Sequence, residues 1–128
     1  MANTEQKISR EKATKDSTVA EFISEEDIDK ALAYLRDNAS SAAQARANRL
    51  YMEEYRKVVK SEIMQQYEHL AIGAQERNAY ADRRYKEHLD VMKTAIYEDE
   101  KHRFLMSAAE AKIDAWRTMN ANIRAIKL

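Results

Sequence analysis

The sequence predicts an all-α fold: a long helical hairpin or coiled-coil-like bundle with a short N-terminal helix. The chain has no Pro and a single Gly, Gly73, and residues of high helix propensity dominate it. No segment alternates apolar and polar residues over the length of a strand. From Asp82 to about Lys127 the chain reads as one helix of roughly 65 Å, whereas a compact domain of this size is about 30 Å across. We therefore expect oligomerisation to complete the bundle.

The overall composition restricts the classes of function. The 128 residues include 22 basic and 22 acidic ones, so whole-molecule charge predicts no affinity for nucleic acid or membrane, and any basic face must be local. The absence of Cys excludes disulfides and Cys-based zinc sites and fits a reducing compartment. Without a signal-like or 20-residue apolar segment, a cytoplasmic protein is the default expectation.

We predict a flexible N-terminal tail at 1–22 and a helical domain at 23–128. The first helix of this domain is predicted at about 25–37. Ser24 can cap the amides of this helix, and Asp27 takes the third position of a capping box. Acidic residues in the first turn favour the positive end of the helix dipole.

A second helix is predicted at about 41–70. Asn38 is a plausible C-terminal cap for the first helix, and Ser41 with Gln44 forms a second capping box. Gly73 is expected to end the second helix because Gly best tolerates the left-handed C-terminal conformation.

The third helix is predicted at about 82–127, with Asp82 as its cap. Its apolar stripe has two halves, 85–96 and 105–123, separated by a charged segment at 98–103. That segment is either a polar layer that sets register or oligomer number, or a point where the helix bends away from its partner. The first half is expected to pack within the chain, and the second to contact another subunit. The candidate oligomer interface is Leu105, Met106, Ala109, Ile113, Trp116 and Ile123.

No catalytic, cofactor or metal site is predicted. The three histidines form no strict Glu-x-x-His motif of the kind that bundle metal sites use, and one Gly excludes a glycine-rich phosphate loop. We expect neither an enzyme nor a small-molecule substrate. The mixed charges of the third helix also argue against a membrane-surface helix.

Basic residues interleaved with aromatic ones are the main candidate for function. Single-stranded nucleic acid is typically held by Arg and Lys that contact phosphates and by aromatic rings that stack on bases. Tyr55, Tyr85 and Trp116 lie on the apolar stripes, so packing is their expected role. The alternative for the basic residues is an ordinary mixed-charge surface. Arg49, Arg56 and Lys60 occupy neighbouring turns and form the best candidate phosphate track. The candidate nucleic-acid contacts are Arg46, Arg49, Arg56, Lys57, Lys60, Arg83 and Arg84.

Two segments of the chain carry a family resemblance. They read YADRRYKEHL at 80–89 and AAEAKIDAWR at 108–117, within a region of about 78–125 that resembles small bacteriophage proteins similar to the UvsY-type recombination mediators. The resemblance implies an oligomeric accessory factor in the bacterial host cytoplasm that binds single-stranded DNA. It also implies a role in loading a recombinase by displacing or remodelling single-strand-binding protein, without cofactor or catalysis.

Two other functions stay open. A phage-encoded interaction factor that inhibits or modulates a host protein would use the acidic face of the first helix. A purely structural assembly factor would show neither a continuous basic nor a continuous acidic surface. The acidic face consists of Glu25, Glu26, Asp27, Asp29 and Asp37.

Overall fold

The computed structural model describes residues 23–127 and is all-α, which confirms the predicted helical hairpin. Its helices are α1 (Glu25–Gln65), α2 (Ile72–Ala81) and α3 (Arg83–Lys127). The expectation of a flexible tail concerns residues outside this range.

The start of α1 confirms the predicted capping box. The backbone N–H of Asp27 donates to Oγ of Ser24 (3.2 Å), and the N–H of Ser24 donates to Oδ2 of Asp27 (3.0 Å). The hydrogen bonds from Ser24 hold the pKa of Asp27 below its ordinary value of 3.8. Two backbone N–H groups at the helix start, which lack partners within the helix, are therefore satisfied by side chains.

The predicted break between a short first helix and a second one is wrong, because α1 runs without interruption through Asn38 and Ser41. Asn38 is half-buried, and the buried positions Ala31 and Ala45 lie two heptads apart on the same helix face. Gln44 donates to Oδ1 of Asn48 (3.1 Å), one turn ahead, instead of folding back as a cap residue. A continuous packed face outweighs the local capping preference.

The far end of α1 also differs from the prediction. The helix ends at Gln65, followed by tight turns in which Gln66 and Tyr67 donate to the carbonyls of Ile63 and Met64. Residues 72–81 then form the additional helix α2. Gly73 lies in its first turn and has no positive φ angle, so it is not a left-handed cap.

Asp82 caps α3, as predicted. Its Oδ1 accepts hydrogen bonds from the backbone N–H of Arg84 (2.8 Å) and from Nε of the same residue (3.0 Å). These bonds, the side-chain one first, lower the pKa of Asp82.

The described chain divides into two compact units. One unit comprises residues 37–105. The other combines residues 23–36 with residues 106–127, and Ile28, Ala31 and Ala109 are buried in it.

In the 37–105 unit, α1 and α3 pack antiparallel with a heptad register. Arg49 contacts Asp99, and two heptads further towards the hairpin tip Ile63 meets Tyr85 in a core cluster with Ala79. On α3 one set of buried and half-buried positions recurs at steps of three and four residues, the spacing of a coiled-coil seam, and Ile96 and Glu100 are half-buried beside it. The positions of this set are Tyr85, His88, Met92, Ala95, Asp99 and His102.

Candidate nucleic-acid interface

Four of the candidate cations form a basic track along α1 in the 37–105 unit. The track consists of Arg46, Arg49, Arg56 and Lys60. Because each residue of a helix is rotated by about 100° from the one before it, these four residues fall in a sector about 80° wide around the helix axis. With a rise of 1.5 Å per residue, the track is about 21 Å long.

Arg49 is the least available member of the track. Its Nη1 lies 3.0 Å from Oδ2 of Asp99 and 2.8 Å from Oε1 of Glu100, and its Nε lies 3.0 Å from Oε1 of Glu53. The hydrogen bonds to Glu53, Asp99 and Glu100, in that order, raise its pKa above the ordinary value. Because three carboxylates surround this guanidinium, Arg49 contributes little free charge to the surface.

The Arg49–Asp99 contact also decides the nature of the charged segment at 98–103. The helix α3 continues through it without a break, and Asp99 occupies a seam position with only 3% of its surface exposed. Asp99 and the half-buried His102 therefore form a polar layer in the seam, whereas the rest of the segment is exposed or half-buried. In this layer Nδ1 of His102 is buried and has no hydrogen-bond partner in the described structure.

Lys60, at the other end of the track, is held against an aromatic ring. Its Nζ donates to Oη of Tyr80 (2.9 Å), lies 4.7 Å from the ring centroid, and lies 3.6 Å from Oε1 of Glu76. The hydrogen bond to Tyr80, and then the charge of Glu76, raises the pKa of Lys60. Tyr80 remains about half exposed, so a cation and an accessible ring lie together here.

Arg46 and Arg56 supply the free charge of the track. Both are exposed, and neither forms an ion pair within residues 23–127. Arg46 lines a cleft of about 230 Å³ together with Arg49, Leu50, Asp99 and Arg103. The charge of Arg103 is partly offset by Glu100 at 3.1 Å, so Arg46 is the cation of this cleft that is open to a ligand.

The remaining candidates do not extend the track. Lys57 pairs with Glu54 (3.2 Å) and Arg83 pairs with Glu87 (2.8 Å), both on the exposed surface. Arg84 binds Asp82 and donates to Oε1 of Gln66 (2.9 Å). The sequence shows the number of cations, but it does not show which carboxylate each one meets.

Two of the aromatic residues have packing roles, as expected. Tyr85 is buried in the core cluster and meets Tyr80 edge to face, with 5.3 Å between ring centroids. Tyr55 contacts the ring of His88 at 5.7 Å, and Nε2 of His88 lies 2.7 Å from the carbonyl of Met52. Residue type and spacing do not predict this contact of His88, because its partner is a backbone carbonyl.

The candidate oligomer residues have neighbours within their own chain. Ala109 is buried, and Met106, Ile113 and Trp116 are half-buried, in the unit that also contains residues 23–36. Leu105 and Ile123 are exposed. Contact between this half of α3 and another subunit stays a prediction.

The described residues contain no cluster of three or more His, Cys, Asp or Glu side chains that could hold a metal ion. None of the helices they form is long and apolar enough to cross a membrane. Comparison with protein-family models, curated proteins and solved structures found no match.

Proposed function

We propose that this chain is a non-enzymatic phage accessory protein that binds single-stranded DNA along the basic track. The observation that carries the proposal is that Arg46 and Arg56 are exposed and have no ion-pair partner among residues 23–127. Both lie in line with the Lys60–Tyr80 pair. Free guanidinium groups suit phosphates, and a half-exposed ring offers a face for a base. In this proposal Arg49 stabilises the hairpin through its carboxylate contacts and does not bind DNA.

The length of the track suggests how it would be used. About 21 Å of one helix supports only a few phosphate contacts, so the affinity of one chain would be low. A homo-oligomer would repeat the track and raise the overall affinity without new types of contact. Such a protein suits the task of a recombination mediator, which helps to load a recombinase on DNA covered by single-strand-binding protein in the host cytoplasm.

Fluorescence anisotropy with a labelled single-stranded oligonucleotide tests the DNA proposal. We expect affinity to fall steeply between about 50 and 200 mM salt, because phosphate contacts release counterions. The double variant Arg46→Ala, Arg56→Ala should bind at least about tenfold more weakly, and its log–log salt slope should be smaller by about 0.7 for each lost contact.

A matched double variant, Lys101→Ala with Lys127→Ala, removes the same charge from two exposed lysines outside the track and should bind like the wild type. Undetectable binding at about 50 mM salt and micromolar protein would refute the proposal. Equal losses in the two double variants would show that only net charge matters.

The second candidate function is an interaction factor that uses the acidic start of α1. Glu25, Glu26 and Asp29 are exposed there, whereas Asp27 is engaged with Ser24. Intact function of Arg46→Ala, Arg56→Ala in phage recombination, together with its loss in Glu25→Lys, Asp29→Lys, would favour this candidate over DNA binding.

A further inference from the structure

A cleft in the 37–105 unit brings together arginines from α1 and α3. Its volume is about 230 Å³, and it is lined by Arg46, Arg49, Leu50, Asp99 and Arg103. Pockets that enclose a whole drug-sized ligand usually have about 300–1,000 Å³. This cleft therefore suits one small group of a larger ligand.

The Arg49–Asp99 ion pair fixes how the two helices meet at the cleft. Nη1 of Arg49 lies 3.0 Å from Oδ2 of Asp99. On α1, Arg46 precedes Arg49 by three residues, about 4.5 Å along the axis. On α3, Arg103 follows Asp99 by four residues, about 6 Å along the axis. Because the helices are antiparallel, both steps lead away from the hairpin tip, so Arg46 and Arg103 lie at about the same level.

The carboxylates at the cleft are already held by Arg49. The side chain of Asp99 is only 5% exposed and accepts a hydrogen bond from Nη1 of Arg49. Oε1 of Glu100, beside the cleft, lies 2.8 Å from Nη1 of Arg49 and 3.1 Å from Nη1 of Arg103. Glu100 therefore keeps a partner when Arg103 turns away from it. Since exposed ion pairs contribute little stability, Arg103, whose side chain is 64% exposed, can exchange Glu100 for a ligand.

Arg46 and Arg103 together offer many hydrogen-bond donors to one group in the cleft. A guanidinium carries five N–H donors in a planar fork that matches phosphate oxygens. Arg46 forms no ion pair within residues 23–127, and Arg103 uses Nη1 on Glu100. Most donors of these two side chains therefore remain available.

The position of the cleft on the basic track identifies the ligand. Arg46 is the track member furthest from the hairpin tip, and Arg56, the other open cation, follows it along α1. A strand whose phosphates repeat along its backbone suits such a row of cations, whereas an acidic peptide lacks regular backbone charge. We propose that the cleft holds one backbone phosphate of single-stranded DNA, clamped by Arg46 from α1 and Arg103 from α3. This inference rests on the DNA-binding proposal and adds Arg103, which lies outside the basic track, to the contacts.

Fluorescence anisotropy with the labelled single-stranded oligonucleotide tests the clamp through two matched arginines of α3. Arg103→Ala should weaken binding about tenfold, as expected for lost hydrogen bonds to a charged group. Arg117→Ala is the control, because Arg117 also forms an exposed ion pair with a carboxylate three residues earlier, Asp114 at 3.9 Å, and does not line the cleft. Its affinity should change less than about twofold. Glu100→Gln should bind at least as tightly as the wild type, because it releases Arg103.

A double-variant cycle shows whether the two arginines hold the same phosphate. Removing Arg46 and Arg103 together should weaken binding by less than the product of the two separate losses. The log–log salt slope of this double variant should fall by about 0.7, for one phosphate, rather than by about 1.4. Circular dichroism would verify that each variant keeps its helix content.

The outcomes separate the clamp from the DNA-binding proposal. Equal losses in Arg103→Ala and Arg117→Ala, a loss in Glu100→Gln as large as that in Arg103→Ala, or multiplicative losses in the cycle would each overturn the clamp alone. Polyglutamate that competes as well as unlabelled oligonucleotide would assign the cleft to an acidic peptide and also overturn it. Undetectable binding by the wild type would refute both proposals.

Discussion

Ile63 should be the most sensitive apolar position at the hairpin tip. Its side chain is 1% exposed and packs with Ala79 and Tyr85. Ile63→Ala removes three buried carbon atoms, worth about 2.4 kcal/mol at about 0.8 kcal/mol each, and the remaining cavity adds a further cost. We expect a total loss of about 3 kcal/mol, which at an m value of about 1.5 kcal/mol/M lowers the urea midpoint by about 2 M.

The measurement is urea unfolding followed by circular dichroism at 222 nm, a standard wavelength for helix content. Ile72→Ala is the control, because Ile72 is 70% exposed, and the same substitution there should cost less than about 0.5 kcal/mol. Ile63→Val should fall between them, at about 1 kcal/mol. If Ile63→Ala and Ile72→Ala unfold at the same urea concentration, the tip cluster does not stabilise the hairpin as we argue.

Two further predictions concern the ionic groups. Arg49→Met should lower the urea midpoint because it leaves the buried carboxylate of Asp99 without its partner. Adding Asp99→Leu to this variant should recover most of the lost stability. Equal midpoints for the single and double variants would contradict this reasoning. Since Ser24 lowers the pKa of Asp27, ionised Asp27 stabilises the fold above its unfolded pKa, and this stability is lost as pH falls through the folded pKa. Asp27→Asn should therefore lower the melting temperature by about 3 °C at about pH 7 and by less at about pH 2, where more of the wild-type Asp27 is protonated. An equal difference at both pH values would mean that the charge of Asp27 is not involved.

The sequence predicted best the features that depend on neighbouring residues. The caps at Ser24 and Asp82 bind amides two or three positions away, so residue type and spacing were sufficient. The supposed break at Asn38–Ser41 has the same local signature, yet packing of the helix face decides there in favour of a continuous helix.

The candidate site was harder to predict for the same reason. The sequence places Arg49, Arg56 and Lys60 on neighbouring turns, and the structure agrees. It does not reveal that Arg49 meets a carboxylate 50 positions away, or that Lys60 meets Tyr80 on α2. Contacts between distant segments therefore determine which cations remain free for a ligand.

The contacts of the 37–105 unit have a kinetic consequence. From the tip outward, Lys60 and Tyr80 are 20 residues apart, Met52 and His88 are 36 apart, and Arg49 and Asp99 are 50 apart. Each contact closes a loop less than twice as long as the one before it, and doubling a loop costs only about 0.6 kcal/mol of closure entropy. The helices can therefore pair in sequence from the tip, without a search for distant partners, and this unit should fold quickly for its length.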